Sequence, residues 1–477
     1  MAGGGLAAND LDAKITPKVV ISCIMAATGG LMFGYDIGVS GGVTSMDDFL
    51  KIFFPQEYRT TQEIGLNSNY CKYNNQGLQL FSSSLYQAAL VATFFASYTT
   101  RKLGRRFTML IAGIFFIVGV VFTAGAFDMA MLIFGRIALG CGVGFANQAI
   151  PLLLSEIAPT RVRGGLNILF QLNITIGILF ANLVSYGTSK IKGGWNWRLS
   201  LGLAGIPALL ITAGSLLVLD TPNSLIERGK LEEGKMVLKK IRGVVNVEHE
   251  FEELVEASRV AKEVKQPFRN LLMTENRPQL VITVALQIFQ QLAGINAIMF
   301  YAPVLFNTLG FGGYSSLYSA VIVGSVNVLS TVLSIYLVDK LGRRFLLLEA
   351  GWLIPSESFP LEMRSAGQSV SVCVNMLFTA VIAQTFLSML CTFKYRIFLF
   401  FSGWVLVMTI FTIFFIPETK NVPIEEMTER VWKQHWYWKR ATMTFICNEA
   451  TIDQCNISTI YHAYISTSLS ASLSVYW

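Results

Sequence analysis

Gly29-Gly30-Leu31-Met32-Phe33-Gly34-Tyr35-Asp36-Ile37-Gly38 is the stretch that decides how this chain folds. It lies inside the first long apolar segment, about Val19 to Val43, where Asp36 is the only charge. An ionised carboxylate in hydrocarbon costs about 2.5–3.5 kcal/mol on insertion scales. Such a group faces a bundle interior, pairs with a cation or takes up a proton. The glycines let neighbouring backbones come close to it. One reading is a helix-end aspartate lying among headgroups. The other, favoured by apolar sequence on both sides, is a proton-carrying carboxylate inside a membrane transporter.

Working outward, the composition agrees with a membrane setting. The 477 residues are 53% hydrophobic and only 14% charged, and mean hydropathy is +0.52. Soluble domains carry about 25% charged residues, so the chain is read as a polytopic membrane protein. The net charge of +7 does not indicate nucleic acid, because much of it lies in short loops between apolar segments. Lys14 and Lys18 precede an apolar run too long for a cleavable signal. Seven cysteines without CxxC spacing indicate neither a metal site nor a dense disulfide framework. The three histidines, His249, His435 and His462, lie outside the apolar runs. No nucleophile–base constellation is apparent, so an enzyme is not expected.

Stretches of about 20 apolar residues, enough to span, fall near 19–43, 79–98, 107–127, 131–154, 165–187 and 199–219. A charged stretch, 221–279, reads as amphipathic cytosolic helices. Further spans fall near 280–306, 317–338, 366–391 and 397–416. Residues 46–78 read as one polar outside loop containing Cys71. Three basic clusters follow spans two, four and eight: Arg101 to Arg106, Arg161 with Arg163, and Lys340 with Arg343 and Arg344. All three are cytosolic if the N-terminus is cytosolic. Lys190, Lys192 and Arg198 then fall outside, against that rule.

The chain also repeats itself. Arg101-Lys102-Leu103-Gly104-Arg105-Arg106-Phe107 matches Asp339-Lys340-Leu341-Gly342-Arg343-Arg344-Phe345. Ser155-Glu156, Pro159 and Arg163 match Ser356-Glu357, Pro360 and Arg364. Two homologous six-span halves follow, a plan common among secondary transporters. The repeat exposes a defect. Ser155 follows Arg106 by 49 positions (155 minus 106), but Ser356 follows Arg344 by only 12 (356 minus 344). Spans nine and ten are therefore almost entirely missing, with the join at Gly351-Trp352.

Several motifs in order carry a resemblance: GGLMFGYDIGVSGGV, RKLGRRF, GRIALGCGVGFANQAIPLLLSEIAPTRVRGG, FQLNITIG, QQLAGINAIMFYAP, VDKLGRR, PSESFPLEMRS and PETKNVPIEEM. With these the chain resembles the major facilitator superfamily, and more narrowly the plant hexose/proton symporters called sugar transport proteins. The resemblance implies an all-α membrane protein of two six-helix bundles, here with the second bundle cut to about four full helices. The expected domains are 1–220 for the first bundle, 221–279 for the cytosolic helices and 280–440 for the second bundle. It implies one hexose bound between the bundles, a proton as coupling ion, no cofactor and no metal. It further implies a monomer in the plasma membrane, with both termini cytosolic.

By the same resemblance Asp36 is the protonatable carboxylate and Arg136 its partner; a snorkelling interfacial arginine is the other reading of Arg136. Amide side chains supply both donors and acceptors for sugar hydroxyls. Gln171, Gln290, Gln291, Asn296, Asn327 and Asn375 lie in apolar spans at positions matching the family's sugar contacts. Binding neighbouring helices is the other reading of each amide taken alone, and it fits all six together less well. Gly294 and Pro303 loosen the helix beside Gln290 and Gln291. Trp352 matches an aromatic that stacks beside the hexose, and Thr379 is a weaker candidate. Cys71 and Cys391 match the two halves of a disulfide tying a lid to the second bundle. Glu156, Arg161, Arg163, Glu357 and Arg364 match cytosolic charge clusters that help latch the outward-facing state.

Residues 441–477 depart from the family. This Ser/Thr-rich tail holds no Lys or Arg and reads as disordered or as translated non-coding sequence. Asn456-Ile457-Ser458 is a glycosylation sequon expected on the cytosolic side and unused. A sugar sensor or an inactive truncated product competes with the symporter reading.

Overall fold

The structure, a computed structural model, describes residues 16–62, 69–71, 73–158, 163–191, 193–244, 247–263, 267–273, 277–308, 313–341, 359, 361–417 and 434–438. The join at Gly351-Trp352, Glu357, Arg161, the Arg163 side chain and the tail 441–477 lie outside the described residues.

The first bundle begins with α1 (Pro17–Thr44), whose Thr16 hydroxyl accepts from the Val19 N–H while Pro17 sets the first turn. Then come α2 (Asp47–Phe53), α3 (Pro55–Gln62) and a short 3₁₀ turn, Asn69–Cys71. The next helices are α4 (Gln76–Lys102), α5 (Arg105–Ala124), α6 (Met129–Ile157) and α7 (Arg163–Thr188). Asn75 and Asp128 cap α4 and α6 through their side-chain oxygens. Span six is two pieces, α8 (Asn196–Gly202) and α9 (Gly205–Leu217).

Four helices follow outside the spans: α10 (Pro222–Glu227), α11 (Leu231–Arg242), α12 (Glu248–Glu263) and α13 (Pro267–Leu271). The second bundle holds α14 (Arg277–Leu292), α15 (Ile295–Thr308), α16 (Gly313–Leu341), α17 (Leu361–Phe393) and α18 (Ile397–Phe415). Nine helical stretches among the described residues are long and apolar enough to cross a membrane. The last of them, Met363–Phe415, joins α17 and α18 through Lys394–Arg396. At 1.5 Å per residue each of those two is long enough to cross alone, which makes ten crossings.

One expectation needs correction. Residues 46–78 are not one polar loop, since α2 and α3 form there and Phe49 is fully buried. Its ring packs against Phe81 and Trp197, with centroids 5.3 and 5.8 Å away. Arg198, one of the three exceptions to the charge rule, has a local partner. Its guanidinium donates to the carbonyls of Ala124 and Ala126 at the end of α5, at 3.0 and 2.8 Å.

The bundles meet along two seams. In one, α4 and α17 run antiparallel: Gln79 meets Ser388, Cys373 meets the Leu90 carbonyl and Ser97 meets Ser365. In the other, Asn182 of α7 donates to the Ala320 carbonyl of α16 at 3.2 Å, while Gly324 lies beside Leu179. These registers put Leu341, Leu361 and the Arg101-Lys102 end of α4 on one side, called here the basic end. The opposite side carries Cys71 and Cys391 and is called the disulfide end. The chain therefore leaves α16 and enters α17 on the same side.

Candidate functional site

Asp36 and Arg136 meet where α1 and α6 cross the interior of the first bundle. Both are essentially unexposed, at 1% and 0%. Arg136 Nη1 donates to Asp36 Oδ1 at 2.6 Å, Nη2 to Ser40 Oγ at 2.8 Å and Nε to the Phe81 carbonyl at 3.0 Å. Its guanidinium carbon lies 4.6 Å from the Phe81 ring centre, which adds attraction from the ring face. Arg136 is thus no snorkelling residue. Asp36 Oδ2 has no protein hydrogen-bond partner, so one carboxylate oxygen stays open to a proton. The glycines do what close packing requires. A methyl group on Gly34 would strike the Ile174 backbone of α7, so only glycine lets α7 seat against α1 beside Asp36.

This pair adjoins the second bundle. Tyr86 of α4 stacks on Phe300 of α15, with centroids 5.1 Å apart. Next to it, the Tyr301 hydroxyl donates to the Ala383 carbonyl of α17 at 2.7 Å. α15 is bent here, as Gly294 and Pro303 suggested. Gly294 sits at φ +80° between α14 and α15, and Tyr301 departs from helical geometry.

The amides fall into groups. Asn375 Nδ2 donates to Gln287 Oε1 at 2.7 Å and to Gln290 Oε1 at 3.1 Å. Thr379 belongs to this group, although its hydroxyl bonds back to Asn375 O at 2.7 Å. Gln291 Oε1 accepts from Asn296 Nδ2 at 2.7 Å, and Gln291 Nε2 is buried without a partner. Asn327 Nδ2 reaches only the Met299 sulfur, at 3.6 Å. Gln171 comes from the other bundle, and its buried Oε1 is unpartnered. It bonds to none of the other amides. Trp352 lies outside the described residues. Gln287 was missed from sequence, although it shares a helix face with Gln290 and Gln291.

At the disulfide end Cys71 and Cys391 are bonded, 320 positions apart. Beneath the disulfide, Ser388 donates to Asn74 Oδ1 at 2.8 Å and Gln384 donates to Gln76 Oε1 at 3.0 Å. At the basic end Glu156 is held by Arg105 at 2.8 Å and by the Thr221 hydroxyl at 2.5 Å. Arg105 also bonds Glu227 at 2.8 Å, and Arg228 pairs with Asp220. The role of Glu227 and Asp220 was not legible, because Glu227 at the end of α10 meets Arg105 only through the tertiary fold and Asp220 lies in the non-helical link before α10. Arg364 is 4% exposed and donates to the Phe359 carbonyl at 3.5 Å, with no ion pair among the described residues. No metal-binding group of three His, Cys, Asp or Glu occurs among the described residues.

Comparison with known proteins gives the family. The profile described as "Sugar (and other) transporter" matches residues 22–351 and 349–431. The chain belongs to that family. Among its sugar-transporter relatives, Sugar transport protein 13 of Arabidopsis thaliana is 67% identical, over 92% of this chain and 94% of the relative. Sugar transport protein MST4 of Oryza sativa subsp. japonica is also 67% identical, over 92% and 95%. Among solved structures, the major facilitator proton:xylose symporter XylE bound to 6-bromo-6-deoxy-D-glucose superposes with a TM-score of 0.74. It is 24% identical, with 87% of this chain and 99% of that one covered, so the fold is shared. The two profile matches meet at 349–351, at the join read from the internal repeat. The alignment to Sugar transport protein 13 runs over 497 positions, whereas 92% of 477 is about 439 residues. Some 58 aligned positions therefore face no residue of this chain.

Proposed function

We propose that this chain is built for proton-coupled symport of a glucose-like hexose by alternating access, in the plasma membrane with the basic end and both termini cytosolic. The observation that carries the reading is the buried Asp36–Arg136 pair with Asp36 Oδ2 left open. A proton added there neutralises the carboxylate and loosens its hold on Arg136. Arg136 then relies on Ser40 Oγ, the Phe81 carbonyl and the Phe81 ring. Because it bridges α1, α4 and α6, its release changes how those helices pack against α15 and α17. The hexose is bound by Gln171 from one bundle and by Gln290, Gln291, Asn296, Asn327, Asn375 and Thr379 from the other. Trp352 stacks on its ring. A neutral monosaccharide suits this set, which offers amides and hydroxyls and no charge. No cofactor and no catalytic step are required, and a monomer suffices.

The test is Asp36→Asn in a transporter-deficient cell, because a neutral amide cannot carry the proton. Asp36→Asn abolishes accumulation driven by an acidic outside while leaving binding or exchange. Unchanged accumulation refutes the coupling role.

A specific observation favours a second reading for this chain. Its family match falls into two segments that meet at 349–351, and the internal repeat puts the loss of spans nine and ten there. Residues Phe345 to Pro355 are too few to cross, since eleven residues rise about 16 Å against about 30 Å of hydrocarbon. Leu341 and Leu361 share a side, which fits a segment that does not cross. On this reading the chain inserts, keeps the orientation of its last two helices and transports poorly or not at all. Uptake equal to that of a full-length relative refutes it.

A further inference from the structure

The α4–α17 seam and its neighbour α6 close differently at the two ends. At the disulfide end Asn74, Gln76, Ser83, Gln384 and Ser388 bond to one another, and Gln79 joins them through Nε2. Of these side chains only Gln79 is left with an unpartnered buried atom, Oε1. At the basic end the rung is Asn147 and Gln148 of α6 against Ser365 and Gln368 of α17. Gln148 donates to the Ser365 carbonyl at 3.0 Å, and Gln368 donates weakly to the Asn147 carbonyl at 3.5 Å. Asn147, Gln148 and Gln368 are fully buried. Yet Asn147 Oδ1 and Nδ2, Gln148 Oε1 and Gln368 Oε1 have no protein partner.

Four buried hydrogen-bonding atoms without partners are unfavourable, and water is the ordinary remedy. Their placement adds a purpose. Gln368 lies seven residues before Asn375, about two turns away on nearly the same face. Asn147 lies eleven residues beyond Arg136, about three turns toward the basic end. The cluster thus sits between the level of Asn375 and Arg136 and that membrane face.

We propose that Asn147, Gln148 and Gln368 form a water-binding site at which the basic end of the seam opens. Water reaching the amides as α6 and α17 separate completes their hydrogen bonds, so opening satisfies groups that the protein by itself leaves unpaired in the closed seam. The disulfide end, where only Gln79 Oε1 is left unpaired, has no equal incentive to part. The inference takes from the proposed function only the seam between bundles. It needs neither proton coupling nor sugar binding.

Native Cys373 reports the event. It is 7% exposed, sits eight residues beyond Ser365 on α17 and donates to the Leu90 carbonyl. The full chain is tested in vesicles exposing the basic face, verified by protease access to the Arg101–Arg106 loop. A small membrane-impermeant thiosulfonate reagent is added, and labelling is read at the Cys373 peptide by mass spectrometry. Cys373 reacts in the unmodified chain. Asn147→Leu and Gln368→Met, which remove unmet atoms and leave apolar ones that pack dry, slow the reaction at least tenfold. An intact Cys71–Cys391 disulfide on a non-reducing gel certifies folding. Should Asn147→Leu lose it, the shape-conserving Gln368→Met decides alone. A purely structural hydrogen-bonding role has the opposite sign, with Gln368→Met loosening the seam and speeding the reaction. Equal or faster labelling in the folded variant overturns the proposal.

Discussion

Consider a double-mutant cycle on the buried ion pair. Asp36→Ala leaves Arg136 fully charged and fully buried, still bonded to Ser40 Oγ and the Phe81 carbonyl but with no counter-charge. Removing one partner of such a pair costs about 3–5 kcal/mol. The two remaining acceptors, each contributing about 1.5–3 kcal/mol to a charged donor, hold the loss near the lower bound. Arg136→Met leaves the carboxylate alone in the same pocket and costs a similar amount. The double variant removes both charges and fills the space with apolar atoms, a replacement that is often neutral. With each single loss near 3 kcal/mol and the double loss near zero, the coupling is about 6 kcal/mol in favour of the pair, above the roughly 0.5–3 kcal/mol usual for contacting residues. The assay is thermal unfolding of the purified chain in one detergent, with each single variant melting on the order of 5 °C lower and the double variant near the parent. Strictly additive losses, or an Asp36→Ala chain as stable as the parent, refute the argument that the two charges hold each other in the bundle interior.

Gln290→Ala lowers hexose affinity about 5- to 150-fold, since an unpaired buried hydrogen-bonding group costs about 1–3 kcal/mol; equal affinity in equilibrium binding removes Gln290 from the site. Proteolysis confined to 221–279 yields two fragments that migrate together until the Cys71–Cys391 disulfide is reduced, and separation without reductant contradicts the lid tether. Glu156→Gln weakens the grip on buried Arg105 and lowers the unfolding temperature, whereas an unchanged melt means that Glu227 alone satisfies Arg105. A cysteine at Thr428 labels from the face that carries the basic loops; labelling from the other face means that residues 345–360 cross the membrane.

Legibility differed from residue to residue. Asp36 announced itself because one carboxylate in 25 apolar residues has few physical outlets. Arg136 was legible for the same reason; the resemblance implied a pairing, and in the structure Arg136 donates to Asp36, 100 positions away. The missing spans were legible because the internal repeat supplied a ruler. The hydrogen bonds of Asn375 to Gln287 and Gln290 were not legible, since an amide in an apolar span reads equally as sugar contact or helix glue. The short helices α2 and α3 were misjudged because a helix of seven or eight residues takes its stability from packing, here Phe49 on Phe81 and Trp197.

What the sequence determined by itself is the membrane setting, the number and order of spans, the internal duplication and the types of side chain placed in hydrocarbon. These follow from solvation, which acts on each segment alone: twenty apolar residues insert, and a lone charge among them stands out. Only the tertiary structure decided which buried groups satisfy one another. Asp36 Oδ2 remains open while Oδ1 is taken, Arg105 bridges Glu156 and Glu227, and the amides of Asn147 go unpaired within a closed seam. Those outcomes depend on distances of a few ångströms between helices far apart in the chain, and hydrogen-bond energy falls away over that same range.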